Sequence, residues 1–367
     1  MLSVFCSPTR YTQGRNATES LGEEMSRLGL PSPVLIVAGK SALRLLAAAW
    51  QKTLGDSHFE YAIHEFGGEC SHAEIARIVE AARHHGSATI VGAGGGKVLD
   101  AARAAAADLN LPVVNCPTVA SSDAPCSALS VIYTEEGVFQ EYRFYRKNPE
   151  LVLVDTQVVA QGPPRLLAAG MGDALATWFE ARTCVAGHVR NMRGGASTRS
   201  ALALAELCYR TLLGDGREAL RSVELQVVTP ALERIVEANT LLSGLGFESS
   251  GLAAAHAVHN GLTAAPLTHS YFHGEKVAFG TLVQLVLEGA SREQFREVLA
   301  FSIAVGLPVT LEQIGCQGLS SDMLGLVAAR ATASGETIHN EPFQVTPRMV
   351  ADAILAADAE GRAWDGG

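Results

Sequence analysis

Side chains that bind metal ions cluster in three short stretches of the second half of the chain. Asp173 follows a glycine pair, His256 and His259 are three residues apart in an alanine-rich stretch, and His273 stands between an aromatic pair and a glycine. One carboxylate and two imidazoles with an open fourth position suit a catalytic divalent ion such as zinc. The separations match no compact motif such as H-E-x-x-H. Two alternatives therefore stay open: Asp173 as a helix N-cap, and the histidines as hydrogen-bonded core residues.

A second candidate site lies where an apolar run meets a glycine-rich turn, in residues 90–100. Four glycines in five positions remove the Cβ atoms, so an outside group can approach the backbone closely. The helix predicted to begin near Lys97 presents unpaired N–H groups and its positive dipole end to the same spot, which predicts a seat for a pyrophosphate. The spacing is neither G-x-G-x-x-G nor a P-loop. The alternative is a tight turn whose glycines serve packing alone.

A loop of hydroxyls with one carboxylate, residues 118–125, follows the next predicted strand. Its side chains, Asp123 among them, could hold a phosphate, a ribose or a polyol, because loops after parallel strands often carry function. The alternative is a set of turn-forming residues that bond their own backbone. Cys116 and Cys126 flank the loop, but no base is identifiable nearby, which argues against a thiol nucleophile.

The first half of the chain predicts a parallel sheet that would position the glycine turn and the loop. Helices alternate with strands there, which is typical of a doubly wound, mostly parallel sheet. Residues 129–134 and 138–144 predict a β-hairpin added to that sheet. The predicted strands are 34–38, 59–65, 87–92, 111–116 and 151–154, and the predicted helices are 41–54, a helix from the capping box Ser71-x-x-Glu74 to 85, and 97–108.

After Arg165 the pattern is helical almost throughout, with helices predicted at 201–213, 231–245, 277–287 and 349–357. The predicted architecture is an α/β N-terminal domain, residues 1–162, followed by an all-α C-terminal domain, residues 163–367. We assign dinucleotide binding to the first domain and metal and substrate binding to the second. Ligands of such proteins usually lie in a cleft, at the carboxyl ends of the strands.

Composition excludes several classes of partner. The 367 residues are 48% hydrophobic and 18% charged, with a net charge of -10 and no basic block, so neither nucleic acid nor an anionic membrane is an expected partner. Seven scattered cysteines, an odd number with no C-x-x-C pair, indicate a reducing compartment. Without a signal-peptide pattern or an apolar run of about 18 residues, a cytoplasmic location is expected.

Six blocks of sequence resemble the metal-dependent, iron- or zinc-using alcohol dehydrogenase family, and within it the glycerol dehydrogenases. The resemblance runs nearly end to end and implies the dehydroquinate synthase-like fold of iron-containing alcohol dehydrogenases. It implies an NAD-dependent oxidoreductase that converts glycerol, a small-molecule polyol, and other vicinal diols such as 1,2-propanediol to ketones, glycerol giving dihydroxyacetone. It also implies a large homo-oligomer such as an octamer. The blocks are residues 66–70, 94–97, 120–133, 172–181, 273–280 and 336–340.

The resemblance assigns roles to individual residues. Asp173, His256 and His273 would bind a catalytic Zn²⁺ ion and, with Asp123, form the catalytic and substrate-contacting set. His259 and His269 fall outside the family's ligand set and are interpreted as structural or as supporting the ligands. The residues implied to bind NAD are Gly94, Gly95, Gly96, Lys97, Asp100, Thr118, Ser121, Ser127, Leu129 and Tyr133.

Two positions depart from the family pattern. Iron-dependent relatives carry a histidine ligand one turn after the aspartate, and Thr177 at that position favours a three-ligand zinc site. Many relatives carry an aspartate, placed to bond the adenosine ribose, where this chain has Gly39. Loss of that carboxylate removes a barrier to a 2′-phosphate, so the choice between NAD and NADP stays open.

Three rival interpretations follow from the same residues. A zinc- and NAD-using lyase of the dehydroquinate synthase kind, or a glycerol-phosphate dehydrogenase, would need several Lys or Arg side chains for its phosphorylated substrate, and no such cluster stands out between residues 173 and 273. A non-catalytic interaction protein would have no use for a metal trio and a cofactor seat. The preferred diol, the metal used in the cell and the oligomer size stay open.

Overall fold

The computed structural model describes residues 1–364. Its strands are β1 (Arg10–Gly14), β2 (Val34–Ala38), β3 (Tyr61–Glu65), β4 (Thr89–Gly94), β5 (Val113–Pro117), β6 (Leu129–Tyr133), β7 (Phe139–Phe144) and β8 (Leu151–Asp155). The helices up to Gly162 are α1 (Leu21–Arg27), α2 (Lys40–Asp56), α3 (His72–His85), α4 (Gly96–Leu109) and α5 (Thr156–Ala160).

The chain from Pro163 onward is helical, with no named strand among the described residues. A π-helical turn, Ala238–Leu242, joins α8 to α9. The helices are α6 (Pro164–Ala186), α7 (Arg199–Glu224), α8 (Pro230–Glu237), α9 (Ser243–Ser250), α10 (Ala254–Leu262), α11 (His273–Leu287), α12 (Arg292–Ala304), α13 (Ser321–Ala331) and α14 (Pro347–Arg362). This confirms the predicted α/β region followed by a mostly helical part.

Six of the strands form a parallel sheet in the order β1-β8-β5-β4-β2-β3. Its four inner strands, β8, β5, β4 and β2, are buried along their whole length, as expected where helices cover both faces of a sheet. Within β2, Val34 and Ile36 belong to the core that includes Trp50 of α2, whereas Leu35 and Val37 belong to the core that includes α3 and α4. The doubly wound sheet predicted from the alternation of strands and helices is therefore confirmed.

The strand β1 was not predicted, because its sequence Arg-Tyr-Thr-Gln-Gly contains no apolar run. It lies at the edge of the sheet beside β8, and all five of its residues are only half-buried, so polar side chains are tolerated there. The buried Glu24 of α1 accepts hydrogen bonds from Arg10 and, at 2.8 Å, from Thr12. These bonds attach the polar strand to the helix behind it.

The predicted hairpin exists, but the prediction that it extends the parallel sheet is wrong. Strands β6 and β7 pair antiparallel as a separate two-stranded sheet. Side chains of α4 hold the hairpin through its backbone: Asp100 Oδ2 accepts from Val131 N at 3.1 Å, and Arg103 donates to the carbonyl of Leu129. The hairpin is therefore attached to a helix, and nearly all of β7 is exposed.

Only half of the predicted capping box forms at the start of α3. The Ser71 Oγ atom accepts from Glu74 N at 3.2 Å, as predicted. The Glu74 carboxylate accepts instead from Gly67 N at 2.9 Å and lies 3.2 Å from His64 Nε2. The Ser71 N–H donates to the carbonyl of Glu69. The Glu74 carboxylate therefore bonds residues outside α3 and does not accept from the Ser71 N–H.

The chain divides into two compact units that interleave along the sequence. One contains Met1–Cys6, Pro163–Arg221 and the chain from Leu245 onward, and the other contains Ser7–Gly162 and Ser222–Gly244. The assignment of dinucleotide binding to residues 1–162 and of metal and substrate binding to residues 163–367 concerns function, and it stays a prediction. Among the described residues no helix is long and apolar enough to cross a membrane.

Within the helical unit, glycines allow α11 to approach its neighbours at backbone distance. A Cβ atom on Gly274 would overlap the carbonyl of Ala169 in α6, and one on Gly280 would overlap the carbonyl of Ala255 in α10. The residues of α11 from Gly274 to Leu285 are all buried. α11 therefore packs closely against both α6 and α10.

The close approach of α10 and α11 makes Gly280 intolerant of a methyl group. We expect Gly280→Ala to lower the free energy of unfolding by about 1–3 kcal/mol, since the overlapped atom is backbone and cannot rotate away. Gly325→Ala in the middle of α13 is the control, because no atom lies within 4 Å of its added methyl. That control should gain up to about 1 kcal/mol from reduced backbone entropy. Urea unfolding measures both, and equal stabilities would contradict the contact.

Candidate functional site

Asp173, His256 and His273 converge from α6, α10 and α11. The Asp173 Oδ1 atom lies 3.4 Å from His256 Nε2 and 3.1 Å from His273 Nε2. One ligand atom from each residue lies within 4.8 Å of the other two. Asp173 lies in the middle of α6, so the alternative role as an N-cap is wrong. His256 and His259 lie one turn apart on the short helix α10.

The spacing of this trio fits a tetrahedral divalent ion. Oxygen and nitrogen ligands lie about 2.0–2.1 Å from zinc, so two ligands at tetrahedral positions are roughly 3.3 Å apart. The separations of 3.1 and 3.4 Å from Asp173 Oδ1 to the two Nε2 atoms bracket that value. Thr177, one turn after Asp173 on α6, is buried and adds neither an imidazole nor a carboxylate. Three protein ligands with an open position are typical of catalytic zinc.

Glu180, which the sequence analysis missed, fixes the orientation of His256. Its Oε2 atom lies 2.6 Å from His256 Nδ1, and its side chain is fully buried on α6. A carboxylate only accepts, so Nδ1 carries a proton, and Nε2, on the side of Asp173, is the nitrogen left for a metal ion. The signal was available: residues 173 and 180 are seven apart, two helical turns, and so share one face of α6.

The first turn of α10 is capped by side chains from elsewhere in the chain. Ala253 N and His256 N donate to Glu180 Oε1 at 2.8 and 3.0 Å, Ala255 N donates to Gln284 Oε1 at 2.9 Å, and Ala254 N donates to Glu341 Oε1 at 3.3 Å. The N-cap residue Ala253 has no side-chain oxygen of its own. The position of His256 is therefore set by three distant side chains.

Electrostatics of the trio favour a cation. Burial alone would raise the pKa of the Asp173 carboxyl, but the imidazoles of His273 and His256 hold that pKa well below its usual range. Burial would lower the pKa of His256, but the carboxylates of Glu180 and Asp173 raise it well above its usual value. Positive charge is thus stabilised at this point, whether carried by a proton or by a metal ion.

The remaining histidines occupy different surroundings. His259 Nε2 lies 3.1 Å from His273 Nδ1, and His259 Nδ1 lies 3.1 Å from Asn260 Oδ1. His269 is exposed, with Nε2 3.0 Å from the carbonyl of Thr263. His259 therefore contacts a member of the trio, and His269 bonds locally.

The glycine turn contains two kinds of glycine. Packing requires two of them, and the Cβ positions of the other two are open. A Cβ atom on Gly92 would lie 2.8 Å from Ala102 Cβ, and one on Gly94 would lie 2.6 Å from Val98 Cγ2, so packing requires both. A Cβ atom on Gly95 or Gly96 would meet only ordinary contacts at 3.7 and 3.8 Å. Packing therefore explains the first two, and the open backbone of the last two lies at the N-terminus of α4, a kind of position that favours anions.

The ten residues implied to bind the cofactor fall into two sets. Lys97 Nζ lies 2.6 Å from Glu69 Oε2 and 5.3 Å from the ring centre of Tyr133, and Thr118 N donates to the carbonyl of Gly94. The first set, which includes Lys97, Thr118 and Tyr133, therefore lies around the glycine turn. Ser121 is half-buried in the loop after β5.

The second set belongs to an internal network around the buried Arg103. The Asp100 carboxylate lies 3.1 Å from Arg103 Nη1, and burial raises its pKa to about 6 against the effect of the guanidinium. Arg103 also donates to the carbonyls of Leu129 and Ala124, and Ser127 Oγ donates to the latter at 3.2 Å. Cofactor contacts for all ten residues stay predictions.

Asp123 is buried in the loop after β5, where its Oδ2 accepts from Ser243 Oγ at 2.9 Å. Its contact with substrate stays a prediction. Gly39 caps α2, and only Val98 Cγ2, at 3.6 Å, would meet a Cβ atom there. Cys116 and Cys126 are buried, and burial raises the pKa of Cys116 to about 12, which agrees with the argument against a thiol nucleophile.

This fold is that of an oxidoreductase with a candidate metal site, and the chain belongs to the iron-containing alcohol dehydrogenase family. The profile of that family matches residues 8–156. Over 98% of its length the chain is 53% identical to the glycerol dehydrogenase of Escherichia coli O6:H1, and the match covers 97% of that protein. The resemblance found in the sequence is therefore confirmed, and the lyase and the non-catalytic alternatives lose their support.

Two further relatives extend the comparison. The chain is 48% identical to the glycolaldehyde reductase of Halobacterium salinarum, over 99% of both proteins. The crystal structure of glycerol dehydrogenase from Schizosaccharomyces pombe matches with a TM-score of 0.94 at 39% identity, covering 99% of this chain and 92% of that one. The similarity thus spans the α/β and the helical parts alike.

The cap on α10 predicts a pH dependence of stability. Burial, then the charge of Glu288, raises the pKa of Glu341 from 4.5 to about 8, and its Oε2 has no hydrogen-bond partner among the described residues. Between those values the folded state keeps a proton that the unfolded state has released, so stability falls as pH rises from about 4.5 to about 8.

Glu341→Gln removes this ionisation and keeps an oxygen for Ala254 N. Between about pH 5 and about pH 8, we expect wild type to lose about 1–3 kcal/mol of unfolding free energy that the variant keeps. Urea unfolding of both proteins at the two pH values measures the difference. Parallel pH profiles would show that Glu341 is ionised in the folded protein throughout.

Proposed function

We propose that the chain is a zinc-dependent glycerol dehydrogenase that oxidises glycerol, and other vicinal diols, with NAD as the hydride acceptor. Glycerol gives dihydroxyacetone in this reaction. The observation that carries the proposal is the trio of Asp173, His256 and His273 at zinc spacing, in a chain 53% identical to a glycerol dehydrogenase. A trio without that similarity would support only a divalent metal site.

Asp173, His256 and His273 would hold the ion. When bound, zinc acts as a Lewis acid that lowers the pKa of an alcohol hydroxyl, and NAD accepts the hydride. Glu180 holds the Nδ1 proton of His256, which keeps the Nε2 lone pair available on the side of Asp173. Asp123 is proposed to accept a hydrogen bond from a substrate hydroxyl and so to favour a polyol over a simple alcohol.

The cofactor is proposed to bind at the glycine turn, with its pyrophosphate on the open backbone of Gly95 and Gly96. Lys97 would add a positive charge beside the phosphates, and Tyr133 stands beneath that amine. The choice of NAD follows the family resemblance. Because Gly39 offers space and no carboxylate, NADP is the competitor to test in the same assay.

A second candidate reaction is the reduction of glycolaldehyde. The Halobacterium salinarum relative with 48% identity is named for it. The product of that reduction is itself a vicinal diol, so one site could serve both substrates. Relative kcat/KM values for glycerol and for ethylene glycol decide which of them is preferred.

A cytoplasmic location and a large homo-oligomer belong to the same proposal. All seven cysteines are thiols in the described part of the chain, which supports a reducing compartment. Size-exclusion chromatography with light scattering would measure the oligomer.

The division of the glycines predicts different phenotypes for neighbouring substitutions. Gly96→Ala should weaken NAD binding about tenfold, roughly 1.4 kcal/mol, because the methyl occupies space proposed for a phosphate. Its unfolding temperature should not fall, since the nearest atom is 3.8 Å away. Gly94→Ala should instead lower the unfolding temperature by crowding Val98. Equal NAD affinity in Gly96→Ala and wild type would place the pyrophosphate elsewhere.

Dependence on the metal is tested with a panel of diols. Glycerol, 1,2-propanediol and ethylene glycol are each assayed for NADH formation before chelation, after chelation and after zinc is restored. We expect activity to disappear with the chelator and to return with zinc. His256→Ala should lose both activity and zinc while it still binds NAD, as followed by the fluorescence of added NADH. Turnover at the wild-type rate in that variant would contradict the ligand assignment.

A further inference from the structure

His273 is the most exposed member of the trio. Its side chain is 42% exposed, against 12% for His256 and 1% for Asp173. It is the first residue of α11, so helix follows it in the chain but does not precede it. Its Nε2 atom faces Asp173 at 3.1 Å. If Nε2 is to present a lone pair to an ion, Nδ1 must carry the ring proton and needs an acceptor.

That acceptor is His259. Its Nε2 atom lies 3.1 Å from His273 Nδ1, and the two rings meet edge to face with centroids 4.2 Å apart. A neutral imidazole accepts at only one of its nitrogens, so His259 can accept at Nε2 only when its own Nδ1 is protonated. The tautomer of His273 thus depends on the tautomer of His259.

A chain of hydrogen bonds sets the tautomer of His259. Arg330 Nη1 donates to Glu336 Oε1 at 2.6 Å, Glu336 Oε2 accepts from Asn260 Nδ2 at 2.8 Å, and Asn260 Oδ1 lies 3.1 Å from His259 Nδ1. Arginine only donates, and a carboxylate only accepts. Each bond therefore fixes the direction of the next, and Asn260 must present its oxygen to His259.

We propose that His259 is a positioning residue that orients His273 for metal binding, with Asn260 and Glu336 fixing its tautomer. This inference rests on the proposed function only in taking the trio as a metal site. It gives His273 the kind of support that Glu180 gives His256, but through a neutral acceptor. His259 is not a fourth ligand, because both of its ring nitrogens are engaged in these bonds.

The test measures zinc affinity directly, by competition with a chromophoric chelator on metal-depleted protein. His259→Phe keeps an aromatic ring and removes the acceptor, and it should weaken zinc binding about 10- to 100-fold. His259→Gln places an amide oxygen near the former Nε2 position, and it should restore affinity to within about threefold of wild type. His269→Phe, which removes an exposed histidine outside the chain of bonds, is the matched control and should bind zinc as wild type does.

The variant Asn260→Leu tests whether Asn260 acts through His259. Alone, this variant should weaken zinc binding, because His259 then loses the partner that fixes its tautomer. Combined with His259→Phe, it should weaken zinc binding no further, since the residue through which it acts is gone. An additive loss in the double variant would overturn the proposed chain.

The outcomes separate this inference from the proposed function. If wild-type protein binds no zinc, and His256→Ala changes nothing, the metal site itself is wrong. If wild type binds zinc and His259→Phe binds it equally well, only the role of His259 is wrong. Equal losses in His259→Phe and His259→Gln would also overturn it, since the acceptor would not matter. Thermal unfolding of each metal-depleted variant guards against misfolding, and Asn260→Leu alone still tests the chain if His259→Phe does not fold.

Discussion

The buried carboxylate of Asp173 is the constraint on which the helical unit depends. Its residue is 0% exposed, and an ionised carboxylate in such a place is costly unless positive charge or hydrogen bonds compensate it. Two imidazoles from two other helices supply that compensation. α6, α10 and α11 must therefore meet at one point, and they must do so with their side chains in fixed orientations.

Two devices allow the three helices to meet there. Glycines at 172, 274 and 280 bring the helix backbones closer than any side chain would permit. The first turn of α10 is then capped by Glu180, Gln284 and Glu341 rather than by its own residues. Since buried N–H groups need partners, displacement of α10 would break several bonds at once. Helix packing brings His256 near Asp173, and the cap on α10 fixes the position of His256.

Sequence patterns predict what depends on local order and miss what depends on distant partners. The apolar run at Val34–Ala38 is a strand with the predicted bounds, because burial of both sheet faces leaves a clear signal. The polar edge strand Arg10–Gly14 leaves none. Asp173 resembled an N-cap because glycines precede it, but Gly172 serves a contact between α6 and α11. The metal trio itself came from the family resemblance. Spacing along α6 could show that Glu180 shares a face with Asp173, but only the fold shows that it bonds His256.

The two candidate sites have opposite electrostatic preferences, and the net charge of the molecule explains why attraction for an anion must be local. At a net charge of -10 the protein repels an anionic ligand at long range. The positive charge of Lys97 is already close to Glu69. An anion at the glycine turn must therefore rely chiefly on the backbone N–H groups at the start of α4, which act only within the first turn. Such short-range attraction fixes the position of a phosphate more sharply than a diffuse positive surface would.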